Sequence, residues 1–214
     1  MEWMRLDLVK RSAPKDSDPE ARLSALVERH RAGDPSALNA FMTEIYPSMH
    51  RIIYRLAGPR ARDHHEDLVQ TSLEQVCRSI ASFEGRSRVT TFVFGICHRV
   101  VARSRRYDRV RAWFKRDAED ATLPQGTAPP EELLEHAQAV AGARAALDLL
   151  GGEERAAFVL HEVEDLPLEE VAAALACSTR TVKRRLRAAR QKLVPLAKPS
   201  SPNFSPPLSP ETRS

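Results

Sequence analysis

LPLEEVAAALACSTRTVKRRLRAARQKL, residues 166–193, decides the fold. Pro167 suits the first turn of a helix, and Leu168, Val171, Ala172 and Leu175 then fall on one helical face. Ala172, Ala173 and Ala174 are small enough to let a second helix cross closely. Cys177-Ser178 breaks the pattern, and the Ser178 hydroxyl can cap a second helix. In that second helix Val182, Leu186 and Leu193 face inward, while Arg180, Lys183, Arg184 and Arg187 face out. Two short helices joined by a tight turn, the second with a cationic outer face, describe a helix-turn-helix. Its second helix enters the major groove N-terminus first, where Arg and Lys donate to guanine and hydroxyls meet phosphate or base edges. Ser178, Thr179, Arg180, Thr181, Lys183, Arg184 and Arg187 are the candidates. A merely solvated amphipathic helix would not need the turn, the small-residue crossing and the basic face together.

The rest of the chain agrees in class. It has 214 residues, a formal charge of +4, few glycines and 6% aromatics, which favours an all-α protein. The cations are gathered, in His98–Lys115 and Thr179–Lys192, with an acidic stretch from Asp117 to Glu135 between them. Clustered Lys and Arg displace counterions from a nucleic-acid backbone. Charge alone would fit two solvated helix faces equally well. Cys77, Cys97 and Cys177 stand singly on apolar helical positions, without a CxxC pair, and read as core thiols in a reducing compartment. Neither a signal peptide nor a membrane span is expected, so the cytoplasm is the expected compartment.

The helical pattern divides into two small domains joined by a flexible linker. Residues 1–19 read as a mobile leader and 20–108 as a first helical domain. The linker is 109–129, the second domain 130–196, and 197–214 a disordered tail rich in Pro and Ser. In the first domain, Leu23, Leu26 and Val27 precede a stop at Gly33. Asp34-Pro35 then starts a helix carrying Leu38, Phe41, Met42, Ile45, Met49, Ile52, Ile53 and Leu56, which ends at Gly58-Pro59. Asp63, with Glu66 three residues on, opens a third helix whose stripe is Leu68, Val69, Leu73, Val76, Cys77 and Ile80. A fourth carries Val89, Phe92, Val93, Ile96, Cys97, Val100 and Val101 into the basic run. Pattern resumes at Glu131 with Leu133, Leu134, Val140, Leu147 and Leu150, breaks at Gly151-Gly152, and returns with Ala157, Phe158, Leu160 and Val163.

With these blocks read, LHEVEDLPLEEVAAALACSTRTVKRRLRAARQKL closely resembles the −35-reading domain of extracytoplasmic-function (ECF) sigma factors of the sigma-70 family. DHHEDLVQTSLEQV is similar to that family's core-polymerase-binding helix. SFEGRSRVTTFVFGICHRVVARSRR is similar to the segment that melts and reads the −10 element. The resemblance implies that Asp67, Leu68, Gln70, Thr71 and Glu74 dock on the clamp helices of the largest polymerase subunit. The resemblance implies the flap as a second polymerase contact. It implies that Arg86, Arg88, Thr90, Thr91, His98, Arg99, Arg103, Arg105 and Arg106 contact the −10 strand. Such strand capture needs no catalytic residue, since base contacts in a cationic groove supply the free energy. The implied partners are core RNA polymerase, promoter DNA and a cognate anti-sigma factor, with no cofactor, no metal and association with the nucleoid when active. Two positions depart from the family pattern: Phe92 stands where tryptophan is common, and Thr71 where an acid is usual.

Two other classes compete. A polymerase-independent helix-turn-helix regulator would share the last helices, but the first domain lacks the alternating strands and helices of a receiver and carries its own basic segment. A metal enzyme is suggested by His64, His65, Glu66 and Asp67. His64 and Asp67 have the spacing of a helical ligand pair, yet no third ligand is indicated and capping accounts for the acids.

Overall fold

Pro19 occupies the first turn of helix α1 (Pro19–Arg31), and Asp18 before it accepts the Glu20 amide at 3.1 Å. The cap therefore supplies one of the acceptors that the first helical amides lack. The computed structural model describes residues 18–58, 64–114 and 141–194, and among these every regular element is helical. Leu23 and Val27 bury one face of α1, and Gly33, at φ 90°, turns the chain. Asp34 caps α2 (Pro35–Leu56) as its sequence predicts: its carboxylate accepts the Ser36 amide at 2.8 Å and hydroxyl at 2.7 Å, and Arg29 Nη2 at 2.6 Å. The Ser36 hydroxyl, Arg29 and the Ser36 amide hold the Asp34 carboxyl down to about 2.

Pro47 lies inside α2, a breaker that the apolar periodicity passes over. It removes one intrahelical donor, and the helix persists because Met49, Ile52, Ile53 and Leu56 beyond it are fully buried. Helix α3 (His65–Ser79) runs into a short 3-10 turn, Ile80–Ser82. Asp63, expected to cap α3, lies outside the described residues. His64 stands at the N-cap and makes no side-chain cap bond. One expected core thiol is not in the core: Cys77 is exposed, Cys97 buried and Cys177 half-buried. Val76 and Ile80 take the inward phase of that turn and leave Cys77 facing out. Helix α4 (Val89–Phe114) continues past the Asp108 boundary expected from fading periodicity. Fading apolar periodicity does not by itself end a helix, and the Arg and Ala residues there are good helix formers.

The second half begins, within the described residues, with helical 141–148 (α5), and α6 (Gly152–Phe158) passes without a break into a π-helical turn, Val159–Val163. The Glu164 amide reaches the Val159 carbonyl at 3.0 Å, the five-residue bond of that wider turn. Leu133, Leu134, Val140, the acidic stretch, the linker from 115 and the Pro/Ser-rich tail lie outside the described residues. Helices α7 (Leu168–Ala174) and α8 (Thr179–Leu193) form the helix-turn-helix, joined through Ala176 at φ 48°.

The two halves are packed together: apolar residues from Leu23 to Leu193 form one continuous core. The small-residue crossing anticipated at Ala172–Ala174 is made on the first half as well as on α8. A Cβ at Gly95 of α4 would stand 3.1 Å from the Ala174 carbonyl oxygen, so only glycine permits this approach of α7 without a shift. α4 is consequently buried on nearly every side from Thr91 to His98.

Candidate nucleic-acid interface

Helix α8 separates its cations by direction. Ser178 caps it, its hydroxyl accepting the Thr181 amide at 3.2 Å and lying 3.0 Å from the Thr181 hydroxyl. Val182, Leu186, Ala189 and Leu193 are buried. Three cations on the flanks are neutralised within the chain. Arg185 pairs with Glu153 at 2.9 Å, Arg190 Nε donates to Glu162 at 3.1 Å, and Lys192 reaches Glu154 at 2.6 Å. Arg180, Lys183, Arg184 and Arg187 are exposed, and among the described residues none of them has an acidic partner. A row of unpaired cations behind a capped N-terminus is what a phosphate backbone and the guanine edge can neutralise. Ser178 and Thr181 are committed to each other and to the cap in this state, and Thr179 is half-buried beside them.

The expected −10 residues are differently placed. Arg86, Arg88, Arg99, Arg103 and Arg106 do reach solvent, and Arg86 pairs with Glu84. Thr90, however, donates its hydroxyl to Glu20 at 2.8 Å and its amide to the same carboxylate at 3.3 Å, while the Val89 amide also donates to Glu20. Glu20 thus caps α4 from α1, a role that no local pattern announces because the two residues are far apart in sequence. Thr91 is buried, its hydroxyl donating to Glu170 at the start of α7. His98 is buried too, with its Nε2 3.7 Å from Glu153, an ion-pair distance beyond hydrogen-bond reach. Arg105 Nη2 approaches the Gly152 carbonyl at 3.4 Å. Thr91, His98 and Arg105 therefore face the second half of the chain here, not open solvent.

Charge holds that seam. Arg55 near the end of α2 pairs with Glu164 just after the π-turn, and both are nearly buried. Arg155 of α6 donates to the Ala57 carbonyl at 2.6 Å, satisfying a backbone acceptor left over at the end of α2, and pairs with Asp148 at 3.2 Å. His98 first, with Arg185 and Arg105 adding to it, draws the Glu153 carboxyl down to about 2 against the opposing effect of burial. The Arg144 guanidinium lies over the Tyr54 ring, 5.1 Å from its centre. Arg155, Glu153 and Glu170 were not among the residues expected at the site; only acids in a first helical turn hint at the last two.

On α3, Asp67, Gln70, Thr71 and Glu74 are exposed, but Leu68 is buried in the core and supports the helix from beneath. The exposed four divide between two grooves. Gln70 and Glu74 line an open one with Met42, Tyr46, Leu73 and Cys77, of roughly 660 Å³. Asp67 and Thr71 border another with Arg103 and Tyr107 of α4. A third groove, between α8 and the π-turn, is lined by His161, Leu168, Lys183, Arg187 and Val194. Metal-binding potential among the described residues is confined to His50, His65 and Glu66. His64 and Asp67, the pair with ligand spacing, sit 3.8 Å apart outside that group.

Comparison with known proteins fits this division. Residues 41–111 match the family model for Sigma-70 region 2, and residues 143–193 that for Sigma-70, region 4. The ECF RNA polymerase sigma factor SigE of Mycolicibacterium smegmatis is 35% identical over 151 residues, 68% of this chain and 55% of that one, so the chain spans about half the length of this relative. SigD of Mycobacterium tuberculosis is 30% identical over 179 residues, covering 80% of this chain and 82% of its own. Among solved structures, the sigma factor RpoE of Bartonella quintana, in complex with the anti-sigma factor NepR, superposes with a TM-score of 0.59 at 22% identity, over 74% of this chain and 94% of that one. CnrH, in complex with the cytosolic domain of CnrY, gives 0.57 at 19% identity, over 84% and 97%. Two matched regions in family order, and a relative matched over most of its length, lead to one assignment: the chain belongs to the ECF branch of the sigma-70 family of RNA polymerase sigma factors.

Proposed function

We propose that the chain directs core RNA polymerase to specific promoters, reading the −35 element with α8 and the −10 element with residues 86–106, from a resting form in which Thr91, His98 and Arg105 of the second surface are covered. The observation that carries the reading is the row Arg180, Lys183, Arg184 and Arg187, exposed and, among the described residues, without acidic partners, beside flanking cations that have them. An intact surface of this kind is ready for DNA, while Thr91 and His98 become available only when the second half of the chain moves off α4. Binding to polymerase and to both promoter elements favours the separated form, and apparent affinity falls in proportion to the fraction of chains that are open. Bridging both elements then multiplies affinity through effective concentration.

The α3 surface, with Asp67, Gln70, Thr71 and Glu74, is the polymerase-docking side, and the flap is the partner of the second half. An anti-sigma factor that stabilises the covered form completes the cycle. The chain acts by binding, without a catalytic group, in the cytoplasm and on the nucleoid when active. The test is run-off transcription with purified core enzyme on genomic promoter fragments. Initiation at discrete start sites that requires the chain supports the reading; DNA binding without initiation would overturn it. Arg180→Ala or Arg184→Ala should each weaken promoter binding by about 1–3 kcal/mol and leave core association intact. The double change Asp67→Ala with Gln70→Ala should do the reverse.

A further inference from the structure

His50 lies on α2 and His65 and Glu66 on the first turn of α3, and the two helices bring one ligand atom from each within 4.8 Å of the others. The imidazole rings meet edge to face with centres 4.4 Å apart, and His50 Nε2 is 3.7 Å from Glu66 Oε1. Both ring nitrogens of His65 are shut off from solvent and have no hydrogen-bond partner. Buried polar atoms are nearly always satisfied, so an imidazole with neither nitrogen engaged by the described residues has both nitrogens available to a ligand.

We propose that His50, His65 and Glu66 form a binding site for a divalent transition-metal ion of the zinc or cobalt type. Two imidazoles and one carboxylate are donors that such ions accept, with water completing a tetrahedron. Metal–nitrogen bonds of about 2.0–2.1 Å set tetrahedral ligand atoms roughly 3.4 Å apart. The ligand atoms now lie within 4.8 Å of one another, and binding would draw the half-buried histidines and the exposed Glu66 closer. A cation at a helix N-terminus opposes the helix dipole, and Glu66, with Asp67 next to it, supplies the compensating charge. The ion would clamp the first turn of α3, the helix bearing Gln70 and Glu74, onto α2.

The experiment uses the full-length chain without a histidine tag and follows visible absorption as Co²⁺ is added, then competes the ion off with Zn²⁺. It reads the metal alone and is independent of transcription. The expected result is a tetrahedral-type cobalt spectrum saturating at a single equivalent. Affinity should fall at least about tenfold in His50→Ala and in His65→Ala and hold in His64→Ala. A thermal midpoint that rises with Zn²⁺ in the parent and in His64→Ala only would agree, since a ligand specific to the folded state stabilises it. Circular dichroism of each variant separates loss of the site from loss of the fold. Absence of saturable binding in the parent, or binding that survives either histidine change in a folded protein, overturns the proposal.

Discussion

The two basic helices of this chain, α4 and α8, carry similar charge and stand in opposite conditions. α8 has its apolar face in its own domain and its cations toward water. α4 has its polar face, Thr91, Gly95 and His98, pressed against α6 and α7 of the other half. The difference is one of packing rather than composition: small residues at Gly95 and Ala174 admit close approach, and the buried Arg55–Glu164 pair and the Arg155 bond to the Ala57 carbonyl fix it. A basic helix can therefore be a binding surface in one arrangement of a chain and part of its interior in another.

The strongest way to break the asymmetry is at Arg155. Arg155→Met removes a buried guanidinium from the Ala57 carbonyl and from Asp148, and should destabilise the closed form by about 3 kcal/mol. Small-angle scattering should show a larger radius, and amides of α4 should exchange faster with deuterium. An unchanged radius in a folded variant would mean that Arg155 supports only its own domain. Next in size, Gly95→Leu places a branched chain against Ala174 and should cost the crossing of α4 and α7 about 2 kcal/mol, shifting the population toward open chains roughly 30-fold. Because the change is on α4, circular dichroism should report the same helix content, with α8 still binding a −35 fragment.

Ala176→Gly sharpens the comparison from the other side. A non-glycine residue at φ 48° is strained, and glycine should stabilise the helix-turn-helix by about 1 kcal/mol in chemical denaturation, with no change in radius. The smallest effect expected is that of acid on the seam. Glu153 is drawn down from 4.5 to about 2 by His98, Arg185 and Arg105, so its contribution is complete above pH 4.5 and lost as pH falls toward 2. Being half exposed, it is partly screened by solvent. Scattering in acid should show the parent opening at a higher pH than it unfolds, and Glu153→Gln should remove that pH dependence.

Helices whose apolar spacing is local were legible in the sequence: the Asp34-Pro35 start of α2, the Ser178 cap and the inward Val182, Leu186 and Leu193 all stand as read. What escaped depends on residues distant in the chain. Glu20 capping α4, Arg155 on Ala57 and Glu170 on Thr91 join segments that no window of sequence contains together. The same holds for His50 beside His65, since a reading confined to α3 finds only His64 and Asp67. The exposure of Cys77 was missed for a different reason: a thiol on the edge of an apolar stripe fits either phase of the helix. Pro47 and the π-turn show tertiary burial overriding local preference.

The thiols have a practical consequence. Cys97 is buried, its pKa pushed to about 12 chiefly by desolvation, and it will not react in the folded chain. Cys77 opens onto solvent in one half, and Cys177, half-buried with Arg185 Nη1 3.4 Å from its sulfur, sits in the other. The wild-type chain is thus built as a two-dye molecular ruler: maleimide fluorophores at Cys77 and Cys177 would report in real time, one molecule at a time, each parting of the halves.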